Sequence, residues 1–342
     1  MITIKDIARM SGYSTGTVSR VLNNRTDVSE EAREKINKII SEYNYQPNSN
    51  AKMLKQTLSP DISVIVRGNT SLFLQSILAE IQIRMREHRE MLNVLFIGET
   101  DDEIEATVQL GQNMKPKGLI FLGGNPENFR EKFSRIPVPS VLVTVDAESL
   151  GFDLLSSFST DDESGAARAV GELYSRGHRR IGILGGRSGV HGELKESFSK
   201  PRIDGAVQEL NRRGIAFDLD RDYEACAYST RGGYDAARKL LQKSPDLTGI
   251  FCMNDAIAIG AMRAFKDMGM SVPEDISVVG FDGAEYVRFT IPRLSTIRQD
   301  SAMLARKSVD DLLLRISYGG AAVHEKIPFT YVDGESVASP RK

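Results

Sequence analysis

Tryptophan is absent from this chain of 342 residues, cysteine occurs twice and histidine four times. Cys226 and Cys252 are far apart and match no metal or redox spacing, which points to a reduced interior. His88, His178, His191 and His324 have no metal-ligand spacing either. No apolar run approaches the ~18 residues that a membrane helix needs. The opening MITIKDIARM carries charges within its first ten residues, unlike a secretory signal. A soluble, cytoplasmic protein is expected. Catalytic signatures are missing as well. GGRSG lacks the G-K-[ST] ending of a phosphate loop, Ser188 is not in G-x-S-x-G because position 190 is Val, and H-E-x-x-H does not occur. No catalytic residue, metal or cofactor is expected.

Charge of one sign is also scarce, the net being −2. It is unevenly spread. The first 60 residues hold nine Lys and Arg against six Asp and Glu, a net +3, which leaves −5 for the remainder. A modestly basic head on an acidic body permits a polyanion partner. At 41% hydrophobic, the chain is long enough for two or three domains.

The head, residues 1–46, reads as three short helices. Ile4, Ile7 and Ala8 recur at helical spacing before SGYS breaks the pattern. Ser14 suits an N-cap for a second helix with Val18, Val21 and Leu22 as its apolar stripe. NNRTD interrupts again, and Ser29 precedes a longer amphipathic run through Ala32, Ile36, Ile39, Ile40 and Tyr43, closed by Pro47. This spacing is that of a helix-turn-helix. Thr15, Gly16, Ser19, Arg20 and Asn23 lie off the second helix's stripe, where they can face a major groove. Arg20 suits bidentate contact with guanine, and the hydroxyls suit phosphates.

From residue 62 the pattern changes to short β-branched runs: Ile62–Val66, Leu92–Ile97, Gly118–Leu122, Ser140–Val145, Arg180–Leu184, Gly249–Met253 and Ile276–Phe281. Helical segments such as Ser76–Arg89, Gly165–Arg176 and Gly232–Gln242 separate them. Strands apolar on both faces and alternating with helices predict parallel sheets covered on two sides. The fold expected is a small all-α head plus an α/β body of two doubly wound parallel-sheet subdomains. Ligands in such sheets sit beyond the carboxyl ends of the strands. There the chain reads RGNTS, GET, GGN, GGRSG, ND and DG, a ring of Gly, Asn, Asp, Arg and hydroxyls suited to a hydroxyl-rich ligand between two halves.

The stretch TIKDIARMSGYSTGTVSRVLNNRTDVSEEAREKINKIISEYNYQPN closely resembles the DNA-binding domain of the lactose-repressor (LacI) family, with TVSRVLN and YNYQPN as its most specific elements. The resemblance continues to about residue 337. It implies a ligand-responsive repressor that binds operator DNA as a homodimer, with a body similar to a periplasmic-binding-protein fold. DNA contacts are then carried to Thr3, Ser14, Thr15, Gly16, Thr17, Ser19, Arg20, Asn23 and Tyr45. A hinge helix is implied within 47–60, contributing Asn48, Ala51, Lys52 and Leu54, the last as a minor-groove wedge. In the body, RIDG matches the family's R-x-x-G, so Arg202 is carried over as a bridge to ligand oxygens. FCMNDAIAIGAMRAF delivers Asn254, with Asp255 as a structural partner, and VPEDISVVGFDG presents Asp282. Tyr228 and Phe73 complete the implied effector site, although SLFL stands where the family has NPFF. The effector implied is a carbohydrate. Three chain crossings are implied too, with subdomains of 61–161 plus 292–322 and of 162–291 plus 323–338. A sugar-binding transport component without DNA function is the alternative reading, against which the head counts.

Overall fold

The computed structural model of the chain describes residues 4–22, 28–43, 62–68, 71–113, 115–186 and 199–341. They fall into two compact units, Met1–Pro60 and Asp61–Lys342.

In the first unit, helices α1 (Ile4–Ser11), α2 (Thr15–Leu22) and α3 (Glu30–Glu42) surround a core of Ile7, Ala8, Val18, Val21 and Ile36. Apolar side chains three or four residues apart share one helix face, which is why these five meet. Gly12 turns the chain between α1 and α2 at φ 74°, a conformation that costs a side-chain-bearing residue. Ser14 then caps α2, its Oγ accepting from the Thr17 amide at 3.1 Å. Ser29 caps α3 in the same way through the amide of Ala32.

The second unit contains two six-stranded sheets. The first is built from β1 (Ile62–Arg67), β2 (Leu92–Ile97), β3 (Gly118–Leu122), β4 (Ser140–Val143), β5 (Leu155–Thr160) and β11 (His324–Ile327), in the order β11-β5-β4-β3-β1-β2 and parallel throughout. Helices α4 (Leu72–Glu87), α5 (Glu103–Asn113) and α6 (Pro126–Lys132) connect its strands. The second sheet contains β6 (Ile181–Leu184), β7 (Tyr223–Glu224), β8 (Gly249–Cys252), β9 (Ser277–Asp282), β10 (Ser295–Arg298) and β12 (Thr330–Val332). Its order is β12-β10-β9-β8-β6-β7, parallel except for β10 with β12. Around it lie α7 (Asp162–Ser175), α8 (Lys200–Arg212), α9 (Leu219–Asp222), α10 (Thr230–Lys243) and α11 (Asp255–Asp267), while α12 (Ser301–Tyr318) packs on the first sheet. Each sheet has an apolar core on both faces, as double winding requires.

The chain passes between the sheets at residue 161, at 299–300 and at 328–329. Two subdomain boundaries read from the sequence are corrected here. Residues 295–298, assigned with the first half, pair with β9 in the second sheet, and 324–327, assigned with the second half, pair with β5 in the first. The two strands were exchanged because neither is apolar enough to show which sheet it joins. Ser295 and Thr296 are buried but bonded, Thr296 Oγ1 donating to Asp255 Oδ1 at 2.6 Å. His324 fits β5 through a 2.8 Å bond between its Nδ1 and the hydroxyl of Ser157.

α7 and α8 cross where Gly205 lies against the backbone of Glu163. A Cβ built on Gly205 would stand 2.0 Å from the Glu163 carbonyl oxygen. The glycine of R-x-x-G is therefore a packing residue, and its absent side chain seats α8 with Arg202 pointing at the sheet ends. The histidine of SRGHRRI has a comparable structural role. His178 is buried, pairs with the Thr248 hydroxyl at 3.0 Å and the Ala338 carbonyl at 2.8 Å, and so ties the C-terminal tail to the sheet.

Candidate functional site

The carboxyl ends of both sheets face a cavity of about 940 Å³ of empty volume, its open mouth included. From the second sheet, Arg202, Tyr228, Asn254 and Asp282 line it, and from the first, Phe73 does. The structure brings together all five residues carried over as effector-binding. Ser301 lines a neighbouring groove that shares Phe73 and Asp282 with the cavity.

Arg202 is the hub. Its Nε donates to Asp162 Oδ1 at 3.0 Å and one Nη donates to the Met253 carbonyl. Asp282 Oδ1 is 3.6 Å from the same Nη, and the guanidinium lies 3.8 Å over the ring of Phe281, a cation–π contact. Burial opposes its charge, yet Asp162 and Asp282 hold it protonated more firmly than an ordinary arginine.

Asp282 sits at the end of β9 at φ 108°, a left-handed backbone that is strained for a non-glycine residue. Gln299 holds it, donating from Nε2 to Oδ1 at 2.8 Å and from its amide to the Asp282 carbonyl at 3.1 Å. Burial pushes the Asp282 carboxyl up to about 7 against the pull of Arg202. Asp255 stands behind it and has the bracing part expected of it. It accepts from Thr296 and, at 2.8 Å, from the Ala284 amide, which fixes the turn after Asp282.

Asn254 caps α11, its Oδ1 accepting from the Ile257 amide at 2.8 Å, so the amide donor is the end left for a ligand. Tyr228 donates to the Ser199 hydroxyl at 2.9 Å, and burial raises its own hydroxyl to about 12. Phe73 is buried in the first turn of α4 against the first sheet's core and lines the cavity, although SLFL stands where the family has NPFF.

The cavity also includes residues not singled out from the sequence. Arg67, Gly68, Glu99, Gly123 and Gly124 belong to the loop stretches RGNTS, GET and GGN, so position relative to a strand was the available signal. Thr144, at φ 76°, was hidden because the apolar run was read to Val145, two residues past the end of β4. Asp162 was hidden in an acidic helix start, where a first-turn carboxylate ordinarily needs no further explanation. Among the described residues no group of three His, Cys, Asp or Glu could hold a metal, and no helix is long and apolar enough to cross a membrane.

In the head, Thr15, Gly16 and Arg20 are exposed on α2, while Ser14 and Thr17 share a 3.0 Å hydroxyl pair at its start. Thr3, Asn23, Tyr45, Asn48, Ala51, Lys52 and Leu54 lie outside the described residues, as do the side chain of Ser19 and the 47–60 hinge segment. Gly16 has no structural need of being glycine. Its φ is not left-handed, and a Cβ would meet only Ser14 Oγ at an ordinary 3.5 Å. Gly16→Gln is therefore expected to fold normally and to change operator preference. Melting curves and binding to a randomised operator library check this, and an unchanged preference would show that the position is not read.

Comparison with known proteins agrees with both halves. Residues 3–48 match the profile of bacterial regulatory proteins of the lacI family, and 170–337 match a periplasmic binding protein-like domain. The chain is 33% identical to the HTH-type transcriptional regulator MalR of Clostridium butyricum over 342 residues, covering 98% of this chain and 99% of that one. It is 31% identical to the ribose operon repressor of Haemophilus influenzae over 316 residues, covering 92% of each. Among solved structures it resembles the lac repressor dimer bound to operator and the anti-inducer ONPF, with TM-score 0.77 and 27% identity over 98% of this chain and 99% of that chain. A helix-turn-helix unit joined to a two-sheet ligand-binding unit defines a DNA-binding transcriptional regulator. This chain belongs to the lacI family of bacterial regulatory proteins.

Proposed function

We propose that this regulator is a repressor acting as a homodimer in the cytoplasm, its operator affinity set by a carbohydrate bound between the two sheets. No catalytic step enters this reading. The observation that carries it is the Arg202–Asp282–Asn254 constellation, where charged and amide groups converge in one buried cavity. A carboxylate accepts from two adjacent hydroxyls, and a guanidinium or an amide NH2 donates to their oxygens, so the set fits a polyol. The printed descriptions of relatives support the same class: one is a ribose operon repressor, and a structural neighbour is a ribose complex.

The DNA-binding assignments at Thr3, Ser14, Thr15, Gly16, Thr17, Ser19, Arg20, Asn23 and Tyr45, and in the hinge, are part of the proposal. So is the mechanism. Two heads engage half-sites about one helical turn apart. Ligand favours one relative arrangement of the two sheets and thereby shifts the population of DNA-competent dimers. Such coupling is reciprocal, so operator and ligand must change each other's affinity by the same factor. Thermal-shift screening of a carbohydrate panel, followed by titration of a hit with and without saturating operator, tests this. A shift of roughly 5- to 150-fold is expected. Identical ligand affinity in both titrations rejects the allosteric reading.

A further inference from the structure

Among the described residues, the charges that line the cavity are already matched, with carboxylate to spare. Arg67 and Arg202 are the cations among the described residues lining it. Arg202 is held by Asp162 and Asp282. Arg67 donates from Nη1 to both oxygens of Glu103, at 3.0 and 3.2 Å, and from Nε and Nη2 to the Glu99 carbonyl, at 3.0 and 2.8 Å. Glu103 is fully buried behind Arg67 and also accepts from Asn128 at 2.9 Å. Glu99 is a further carboxylate on the wall, and its side chain makes no ion pair among the described residues.

Three helix N-termini at the sheet ends, of the kind that ordinarily attract anions, are taken as well, while that of α8 has no side-chain cap. Ser71 caps α4 through the Leu74 amide, Asp161 caps α7 ahead of Asp162, and Asn254 caps α11.

Resting on the carbohydrate reading, we infer that the effector is an uncharged polyhydroxylated compound and that the cavity rejects its phosphate esters and carboxylic acids. A phosphate monoester brings roughly 1.5 to 2 negative charges to a wall where both guanidinium groups among the described residues are already committed. It would meet Glu99 and Asp282 at short range in a poorly solvated site, where like charges repel strongly. A neutral sugar meets no such opposition, because each hydroxyl can donate to a carboxylate and accept from a guanidinium or an amide. Burial already pushes the carboxyls of Asp162 and Asp282 toward their protonated forms, and a further anion would push them the same way.

The test uses the full-length protein and calorimetry at pH 7.5. Unmodified mono- and disaccharides are titrated beside the 6-phosphate and the uronic acid of the same sugars. A neutral sugar is expected to bind, and its phosphate and its acid to bind on the order of 100-fold more weakly. A phosphorylated or acidic sugar that binds as well as its neutral counterpart overturns the inference and leaves the carbohydrate reading standing. Binding by no member of either series overturns both. In Glu99→Gln the gap between neutral and phosphorylated sugar should narrow by about tenfold. An unchanged gap in that variant overturns the part assigned to Glu99.

Discussion

Arg202→Ala is expected to destabilise the ligand-binding unit by about 3–5 kcal/mol and to eliminate effector binding. The arginine is 9% exposed and is the cation between Asp162 and Asp282, so its removal strands two carboxylates in a buried site. The deficit should depend on pH in a defined direction. Unfolded, these carboxyls titrate near 3.8, whereas burial already raises both in the folded protein, against the pull of Arg202. Without the arginine they rise further, so protons bind the folded state preferentially. The variant should therefore lie nearest to wild type in acid and fall behind as pH rises through the folded values. Urea melts at pH 5 and pH 8 measure this. Arg202→Lys retains a charge without the planar fork and should recover much of the stability while binding ligand poorly. Equal stability of wild type and the alanine variant at pH 8 would show that the ion triad does not organise the cavity. Retention on operator DNA should persist in both variants wherever their bodies remain folded, because the head is a separate compact unit.

Gly205→Ala should also be damaging, although it adds a single methyl group. That methyl would lie 2.0 Å from the carbonyl oxygen of Glu163, which is backbone and cannot swing aside. Overpacking of this kind costs about 1–3 kcal/mol, occasionally more. Relief requires α8 to move away from α7, and α8 takes Arg202 with it, away from its bond to Asp162. Loss of stability should thus be accompanied by loss of ligand affinity of about tenfold, the worth of 1.4 kcal/mol. Gly171→Ala on α7 is the control. Its Cβ would meet only the Glu209 side chain at 3.4 Å, so a neutral or slightly stabilising effect is expected. Thermal melts of both variants with ligand titration separate the two cases. Similar melting of Gly205→Ala and wild type would mean that the helix crossing has slack.

Several strands were legible in the sequence because their signals are local. Gly118–Leu122 and Leu92–Ile97 are apolar runs that match β3 and β2 residue for residue. The capped, striped helices of the head were equally plain. What escaped is stabilised by partners far along the chain. LSSFST does not read as a buried strand, yet all six residues of β5 are buried. Ser156 accepts from Arg315 at 2.9 Å and from the Val323 amide at 3.0 Å, while Ser157 is bonded to the Ala147 amide at 3.0 Å. Those partners lie up to 167 residues away. The ion pair of Arg67 with Glu103 and that of Arg202 with Asp162 are hidden for the same reason. Family motifs pointed to the conspicuous residues of the cavity wall, and not to the carboxylates that hold them.

Two of the residues that hold the cavity wall sit where the chain changes sheets. Asp161 and Asp162 mark the first passage, and Gln299, which grips Asp282 at two points, marks the second. Recognition and responsiveness are thus written in overlapping residues. On the proposed mechanism, a lineage that drifts toward a new effector by altering Asp282 or Arg202 would also alter the tethers on which movement of one sheet against the other depends. New specificity in this scaffold should therefore arrive with altered regulation, such as constitutive repression or deafness to ligand, until compensating changes accumulate at 161–162 and 299–300. An engineer who wants a new sensor should vary these passage residues together with the pocket from the first library onward.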